Sequence, residues 1–296
     1  MGKRPSIEHQ KRGRLLTFAA AIGFGVLLSA VAGFDLGSWM TQAHAGIADA
    51  GEDAGVAACR SSMVHGVDDP AGALDGDNIR LVSWNIKKKS LPNWRRDYQK
   101  LTADKDLILI QEASLREDTV NDLPAVPYWS FAPGYWRGEE VTGVLTLSSV
   151  PPLSRCYLVS TEPLLRTPKA TSITQFKLDG SDETLLVVNV HAVNFSLGLG
   201  TYRNQLSRIE EILSLHDGPI ILSGDLNTWR RGRMRTVAEM ASALELVPLE
   251  FDSDVRKTVL GLPLDHIYIR GLRAKSSDTA AVKTSDHNPM FVTLTL

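Results

Sequence analysis

Only two cysteines, Cys59 and Cys156, occur in the 296 residues, so a metal site built on clustered thiolates is excluded. No two histidines are spaced His-x-x-x-His, which removes the usual helical zinc arrangement as well. Net charge is only −2, and there is one long uncharged apolar stretch. The single cysteine pair has no spacing pattern to test, and two readings stay open. One is a disulfide tying the segment around Cys59 to the segment around Cys156, and the other is an exposed thiol and a separate buried one.

The small net charge hides an uneven distribution. Residues before Phe34 carry Lys3, Arg4, Lys11, Arg12 and Arg14 against Glu8, whereas Asp35 to Asn78 carry eight acids against Arg60 alone. The remaining 26 basic and 25 acidic residues balance. The apolar stretch, Leu15 to Phe34, is at roughly 20 residues just long enough to cross a bilayer as a helix. Its bases all precede it, which places the N-terminus in the cytoplasm and the rest of the chain across the membrane. A signal peptide would be cut after Ala30-Val31-Ala32 or Ala43-His44-Ala45. The first site cuts into the apolar run and the second lies far from it, so the sequence favours an uncleaved anchor over a secreted or periplasmic product. The expected organisation is a basic tip and anchor over 1–34, a flexible acidic linker over 35–78 and one domain over 79–296. That domain is expected to be a monomer on the periplasmic or extracellular side of the inner membrane.

Within 79–296, β-branched and apolar runs predict strands at Ile79–Trp84, Leu107–Ile110, Gly143–Ser148, Ile173–Leu178, Leu185–Val190, Ile220–Ser223, Ile267–Ile269 and Met290–Leu296. Helical spacing marks Trp94, Tyr98 and Leu101, then Leu206, Ile209 and Leu213, then Met234, Val237, Ala241 and Leu244. Strands and helices mix without strict alternation. The fold class is therefore α/β in the α+β sense, with two packed β-sheets flanked by helices.

Six short polar marks end these runs: Trp84-Asn85-Ile86, Gln111-Glu112, His191-Ala192-Val193-Asn194, Gly224-Asp225-Leu226-Asn227, Leu264-Asp265-His266 and Ser285-Asp286-His287-Asn288-Pro289. Carboxylates, amides and imidazoles delivered at strand ends can hold a hard cation and act on a P–O bond. Asn85 and Glu112 supply an amide oxygen and a carboxylate, which suits Mg²⁺, with Mn²⁺ able to substitute. On an extended segment Asp225 and Asn227 share a side, and Gly224 lets the backbone approach closely. His287 can serve as a general base or bind a phosphate oxygen, with Asp265 as its orienting carboxylate. Asp286 reads as a metal ligand or water-activating group, His191 and Asn194 as phosphate-facing groups. His266, next to Asp265, should point the other way.

These marks resemble the endonuclease/exonuclease/phosphatase superfamily, including DNase I-like nucleases, from about Ile79 to Leu296. Val188 to Gly198 and Ser285 to Pro289 resemble its bacterial YafD-like branch. The resemblance implies a DNase I-like four-layer α/β-sandwich and Mg²⁺-dependent phosphoester cleavage. It makes Asn85 and Glu112 metal ligands with Asp286 near the metal, and gives Asp225 and Asn227 the attacking water and the scissile phosphate. His287 becomes general base or phosphate ligand, oriented by Asp265, and His191 a phosphate-binding group and general acid. Lys87 stands where abasic-site enzymes carry an acid, which argues against that activity, and no acid is evident to orient His191.

Two basic runs flank these marks: Lys87-Lys88-Lys89, and Trp229-Arg230-Arg231-Gly232-Arg233. Bases at a catalytic rim attract a polyanion and Trp229 can stack on a base, so nucleic acid is the first substrate expectation, with Lys87, Trp229, Arg230 and Arg231 binding it. A phospholipid or inositol phosphate, as for sphingomyelinases, is the alternative, because an anchor would hold the site near a membrane. A binding module on a dead catalytic fold would have lost some of the six marks; none is missing.

Overall fold

The computed structural model describes residues 52–64, 71–116, 126–196 and 198–296. The expected anchor lies outside the described residues, and no helix among the described residues is long and apolar enough to cross a membrane. Two mixed sheets pack face to face. The first runs β1 (Leu74–Asp75), β7 (Pro168–Asp179), β8 (Thr184–His191), β9 (Ile220–Asp225), β13 (Asp265–Arg270), β10 (Val247–Pro248), with β6 (Ser154–Thr161) also paired to β7. The second runs β14 (Arg273–Thr279), β15 (Met290–Thr295), β2 (Ile79–Asn85), β3 (Leu107–Leu115), β5 (Glu140–Ser148), β4 (Tyr128–Arg137). A short hairpin, β11 (Thr258–Val259) with β12 (Leu262–Pro263), stands apart from both.

Alternation decides what each face of a strand does. On β8, Leu185 and Val187 join Leu81, Leu107, Leu109, Ile221 and Ile267 in the core between the sheets. Leu186, Val188 and Val190, on the other face, pack with Tyr202, Leu206, Ile209, Val237 and Met240. Those partners come from α3 (Gly200–Leu213) and α4 (Arg231–Ala243), whose apolar positions recur every three or four residues. One more helix, α2 (Trp94–Thr102), buries Tyr98 and Thr102.

The stretch expected to be a linker carries structure of its own. Helix α1 (Glu52–Val64) sends Val56 and Cys59 into the core beneath the outer face of the first sheet. Cys59 is disulfide-bonded to Cys156 on β6, with Cα atoms 5.1 Å apart, and Leu74–Asp75 pairs in parallel with Leu178–Asp179. The described part of 35–78 is thus integrated into the domain, a difference from the reading made on its Ala, Gly and Asp content. That composition hid the buried side chains of Val56, Cys59 and Leu74 and a cross-link, which composition does not weigh.

Candidate active site

Following the inner face of each central strand leads from apolar to polar to functional side chains. On β2 the order is Ile79, Leu81, Ser83, Asn85; on β8 it is Leu185, Val187, Asn189, His191; on β9 it is Ile221, Ser223, Asp225. β2 with β3 and β8 with β9 are parallel pairs, so their carboxyl ends lie at one end of the sandwich. The antiparallel strand β13 starts there, with Asp265 opposite Asp225, and β15 begins there just after His287. A buried polar layer sits below: Gln111 Nε2 donates to Asn189 Oδ1 at 2.7 Å and to Ser83 Oγ at 3.2 Å.

Glu112 reaches the site through a break in strand register. The β3–β5 pairing slips between Ile110 and Ala113, and Glu112 has φ +49°. Gln111 faces inward by alternation from Leu107 and Leu109, and the bulge brings Glu112 to the same side. Asn227, at φ +50°, is also left-handed, as are Lys87, Lys88 and Lys89. Strained backbone of this kind persists where surrounding structure enforces it, and it concentrates at functional sites. Gly224, at φ +140°, has no substitute, because a Cβ would lie 2.0 Å from the Val190 carbonyl oxygen.

At the centre, Asp265 Oδ2 and His287 Nδ1 are 2.8 Å apart. Trp84 Nε1 donates to the His287 carbonyl at 2.9 Å. His287 Nε2 faces Asp225 Oδ2 at 3.9 Å. Asp225 in turn accepts from Asn85 Nδ2 at 3.0 Å and from the Asn227 backbone N–H at 3.0 Å. Burial works against the charge on His287, but Asp265 and Asp225 outweigh it and push the imidazole up to about 10. Burial, reinforced by Asp265, raises Asp225 to about 6 even though His287 pulls it down. His191 Nε2 lies 3.8 Å from both Asp225 Oδ2 and Glu112 Oε1. Burial, then Lys169, His287 and Lys88, hold its pKa well below 6.5, so it is neutral.

The donor set fits a hard divalent cation. One ligand atom each from Asp225, Asp265 and His287 lies within 4.8 Å of the others. Glu112, at the rim, already faces a positive charge, with Lys88 Nζ 3.2 Å from its Oε2. Such an ion takes oxygen ligands, which the carboxylates of Asp225 and Glu112 offer, whereas His287 Nδ1 is already engaged by Asp265. Asp286, expected near the metal, is instead half exposed and paired with Lys87 at 3.3 Å, and it stands outside that cluster. His266 points to the other face, against Thr228 Oγ1 at 2.7 Å, as strand alternation requires.

The expected substrate-binding residues are largely engaged within the fold. Asn194 Oδ1 accepts from Trp229 Nε1 at 3.0 Å. Arg230 lies over the Trp229 ring and bonds the Gly198 carbonyl. Arg233, expected at the basic rim, is fully buried: it donates to the carbonyls of Val193, Asn194 and Asn227 and stacks on Tyr202, 4.5 Å from the ring centre. A guanidinium with this many carbonyl partners is a staple for the His191–Ser196 loop, not a surface cation. Arg231 is exposed at the start of α4, and Lys87 remains partly open.

Two site residues carried no sequence mark. Lys169, on β7, places Nζ 3.0 Å from His191 Nε2. Glu162 is buried and accepts from the backbone N–H groups of Asn194 and Phe195 at 2.6 and 3.3 Å. It also lies 3.9 Å from Lys169 Nζ.

Residues 75–287 match the model of the endonuclease/exonuclease/phosphatase family. The chain is 35% identical over 237 residues to a UPF0294 protein of Vibrio parahaemolyticus, covering 76% of this chain and 81% of that one. A UPF0294 protein of Klebsiella pneumoniae is 37% identical over 230 residues, covering 75% and 85%. Among solved structures, D. rerio TDP2 complexed with a single-strand DNA product aligns with TM-score 0.56 at 17% identity, covering 74% of this chain and 99% of that one. Sphingomyelinase C from Streptomyces griseocarneus aligns with TM-score 0.52 at 17% identity, covering 73% and 99%.

Proposed function

The chain belongs to the endonuclease/exonuclease/phosphatase family and is a phosphoester hydrolase, and from that premise we propose that it is a magnesium-dependent phosphodiesterase. The observation that carries the reading is the continuous set of contacts from Asp265 through His287, Asp225 and His191 to Glu112, with Asn85 held on Asp225. Glu112 and Asn85 would hold Mg²⁺ with Asp225, and the ion would neutralise charge on the phosphate. Asp265 orients His287, whose Nε2 faces the cleft and can take a proton from the attacking water once its own proton is released. Asn227, pinned through its side chain to the Ala192 carbonyl at 2.9 Å, keeps its backbone N–H on Asp225 and fixes that carboxylate's direction.

Nucleic acid is the first substrate reading, supported by Arg231 and Lys87 beside the site and by the likeness to a fold that carries a DNA product. A second reading, a phospholipid, has its own observation. Leu164, Leu165 and Phe195 are 57%, 58% and 52% exposed, and Glu162 ties their two loops together beside Lys169 and His191. Attachment through the apolar run 15–34, with the domain outside the inner membrane, fits this reading. The Cys59–Cys156 disulfide supports the same side of the membrane, since such bonds persist in oxidising compartments.

The test is hydrolysis by the purified chain, with Mg²⁺, Mn²⁺ or a chelator, of single- and double-stranded DNA, RNA, sphingomyelin, glycerophospholipids and inositol phosphates. Turnover of one class that chelation abolishes, and that Glu112→Gln lowers by more than the tenfold to hundredfold typical of outer-sphere changes, is the expected result. Full activity in chelator would end the metal-dependent reading.

A further inference from the structure

The pocket beside the cleavage centre is lined by Lys88, Glu112, Lys169 and His191, among others. Two ammonium groups therefore share a small cleft with one carboxylate and one imidazole. Their arrangement fixes a direction of hydrogen bonding. A lysine ammonium has three donors and no acceptor, so at 3.0 Å from Lys169 Nζ the Nε2 atom of His191 must be the acceptor. An Nε2 used in this way has no proton to give to a phosphate oxygen. The donor role that the family resemblance assigns to His191 has passed, in this geometry, to the neighbouring ammonium.

Both lysines are held in place by carboxylates and by backbone conformation. Lys169 is mostly buried, with 14% of its side chain exposed, and sits between His191 and the buried carboxylate of Glu162. Lys88 lies in a three-residue turn whose lysines all have φ between +49° and +56°, a conformation that costs roughly 1–2 kcal/mol per residue for non-glycine side chains. Its Nζ lies 3.2 Å from Glu112 Oε2.

We propose that Lys169 and Lys88 are the residues that grip the non-bridging oxygens of the substrate phosphate, with His191 a positioning residue that anchors the Lys169 ammonium. The ligand class is a tetrahedral phosphoryl group. This deepens the hydrolase reading and rests on it for the identity of the substrate, but the site itself is tested by binding alone.

The experiment measures binding of inorganic phosphate to the full chain by calorimetry, with chelator present so that the lysines rather than a metal ion are read. Lys169→Met and Lys88→Met should each raise the dissociation constant by about tenfold to a hundredfold, the loss expected for one charge-assisted hydrogen bond. Lys169→Arg, which keeps the charge, should recover part of it. Sulfate should compete with phosphate, and chloride at equal ionic strength should not. Because Lys88 lies on a partly exposed turn, Lys88→Met provides the comparison should Lys169→Met fail to fold. Phosphate binding that is absent, or unchanged in folded Lys88→Met and Lys169→Met, overturns the proposal whatever the enzyme hydrolyses. If phosphate binds through both lysines and no phosphoester is cleaved with metal, the pocket stands and the hydrolase reading falls.

Discussion

His287 keeps a proton that the same side chain would shed in water, and the carboxylates of Asp265 and Asp225 are the reason. Its folded pKa of about 10 lies above the ordinary 6.5, so the metal-free folded state binds this proton more tightly than the unfolded chain does. The resulting stability is fully present below about pH 6.5 and is lost as pH rises through about 10. Asp225, raised from 3.8 to about 6, has the same sign at lower pH, its folded form also favoured by protons. The melting temperature of the chelated protein should therefore fall between pH 6.5 and 10, and Asp265→Asn should flatten that slope. An unchanged slope in the variant would place the proton elsewhere. With metal present, His287→Ala should reduce turnover by about 10²–10⁴-fold, the range for a positioned acid–base group, and Asp265→Asn by less. Wild-type turnover in His287→Ala would reverse that assignment of roles. Asp265 and His287 were legible in the sequence because each ends or begins an apolar run beside a turn. Lys169 was not, because a lone lysine in a strand has no periodic signature and its meaning depends on His191, brought alongside only by β7–β8 pairing.

At the scale of elements, the site depends on irregularities more than on regular strands. The predicted strands and helices fall on observed elements, with only Leu244 and Leu296 one residue past an end, because each carries its own apolar period, down to the inner and outer faces of Leu185–Val190. Two of the missed strands lack it: β4 contains Pro133 and Gly134, and β14 is a polar edge with six of its seven residues outside the core. The bulge at Glu112 was invisible because a register slip is a property of two strands, not one. Gly224 was readable, and Gly224→Ala should destabilise severely, since a Cβ 2.0 Å from a carbonyl forces β8 and β9 apart. Thermal unfolding of this variant near wild type would show that the strands can yield. The disulfide joins residues 97 positions apart. Closing a loop of that size in the unfolded chain is worth about 4–5 kcal/mol in the chain-entropy model. Cys59→Ala with Cys156→Ala should lower denaturant stability on that scale, and no loss would mean that α1 docks by packing alone.

On the scale of the whole molecule, two nearly neutral sheets carry a polar cleft at one end, and substrate choice rests on what surrounds that cleft. Sequence alone presented Lys87 to Arg233 as a basic rim. The folded chain uses Arg233 as an interior staple, Arg230 as a loop brace and Lys88 inside the pocket. Linear charge runs do not reveal which bases are consumed by the fold. What remains open is Lys87, Lys88 and Arg231 together with the apolar residues Leu164, Leu165 and Phe195. These make opposite predictions. If the surface meets a lipid layer, Leu165→Glu with Phe195→Glu should reduce hydrolysis of phospholipid in vesicles by at least tenfold, because exposed apolar contacts of this size each contribute about 1–2 kcal/mol when buried. The same variant should turn over a short-chain, water-soluble phosphodiester at the wild-type rate, since neither side chain belongs to the cleavage centre. If the substrate is nucleic acid, vesicle hydrolysis is absent, the double variant is silent, and DNA or RNA cleavage falls steeply as salt rises through counterion release. Arg231→Glu should then raise KM more than it lowers kcat, because an exposed base at the rim holds the ground and transition states alike.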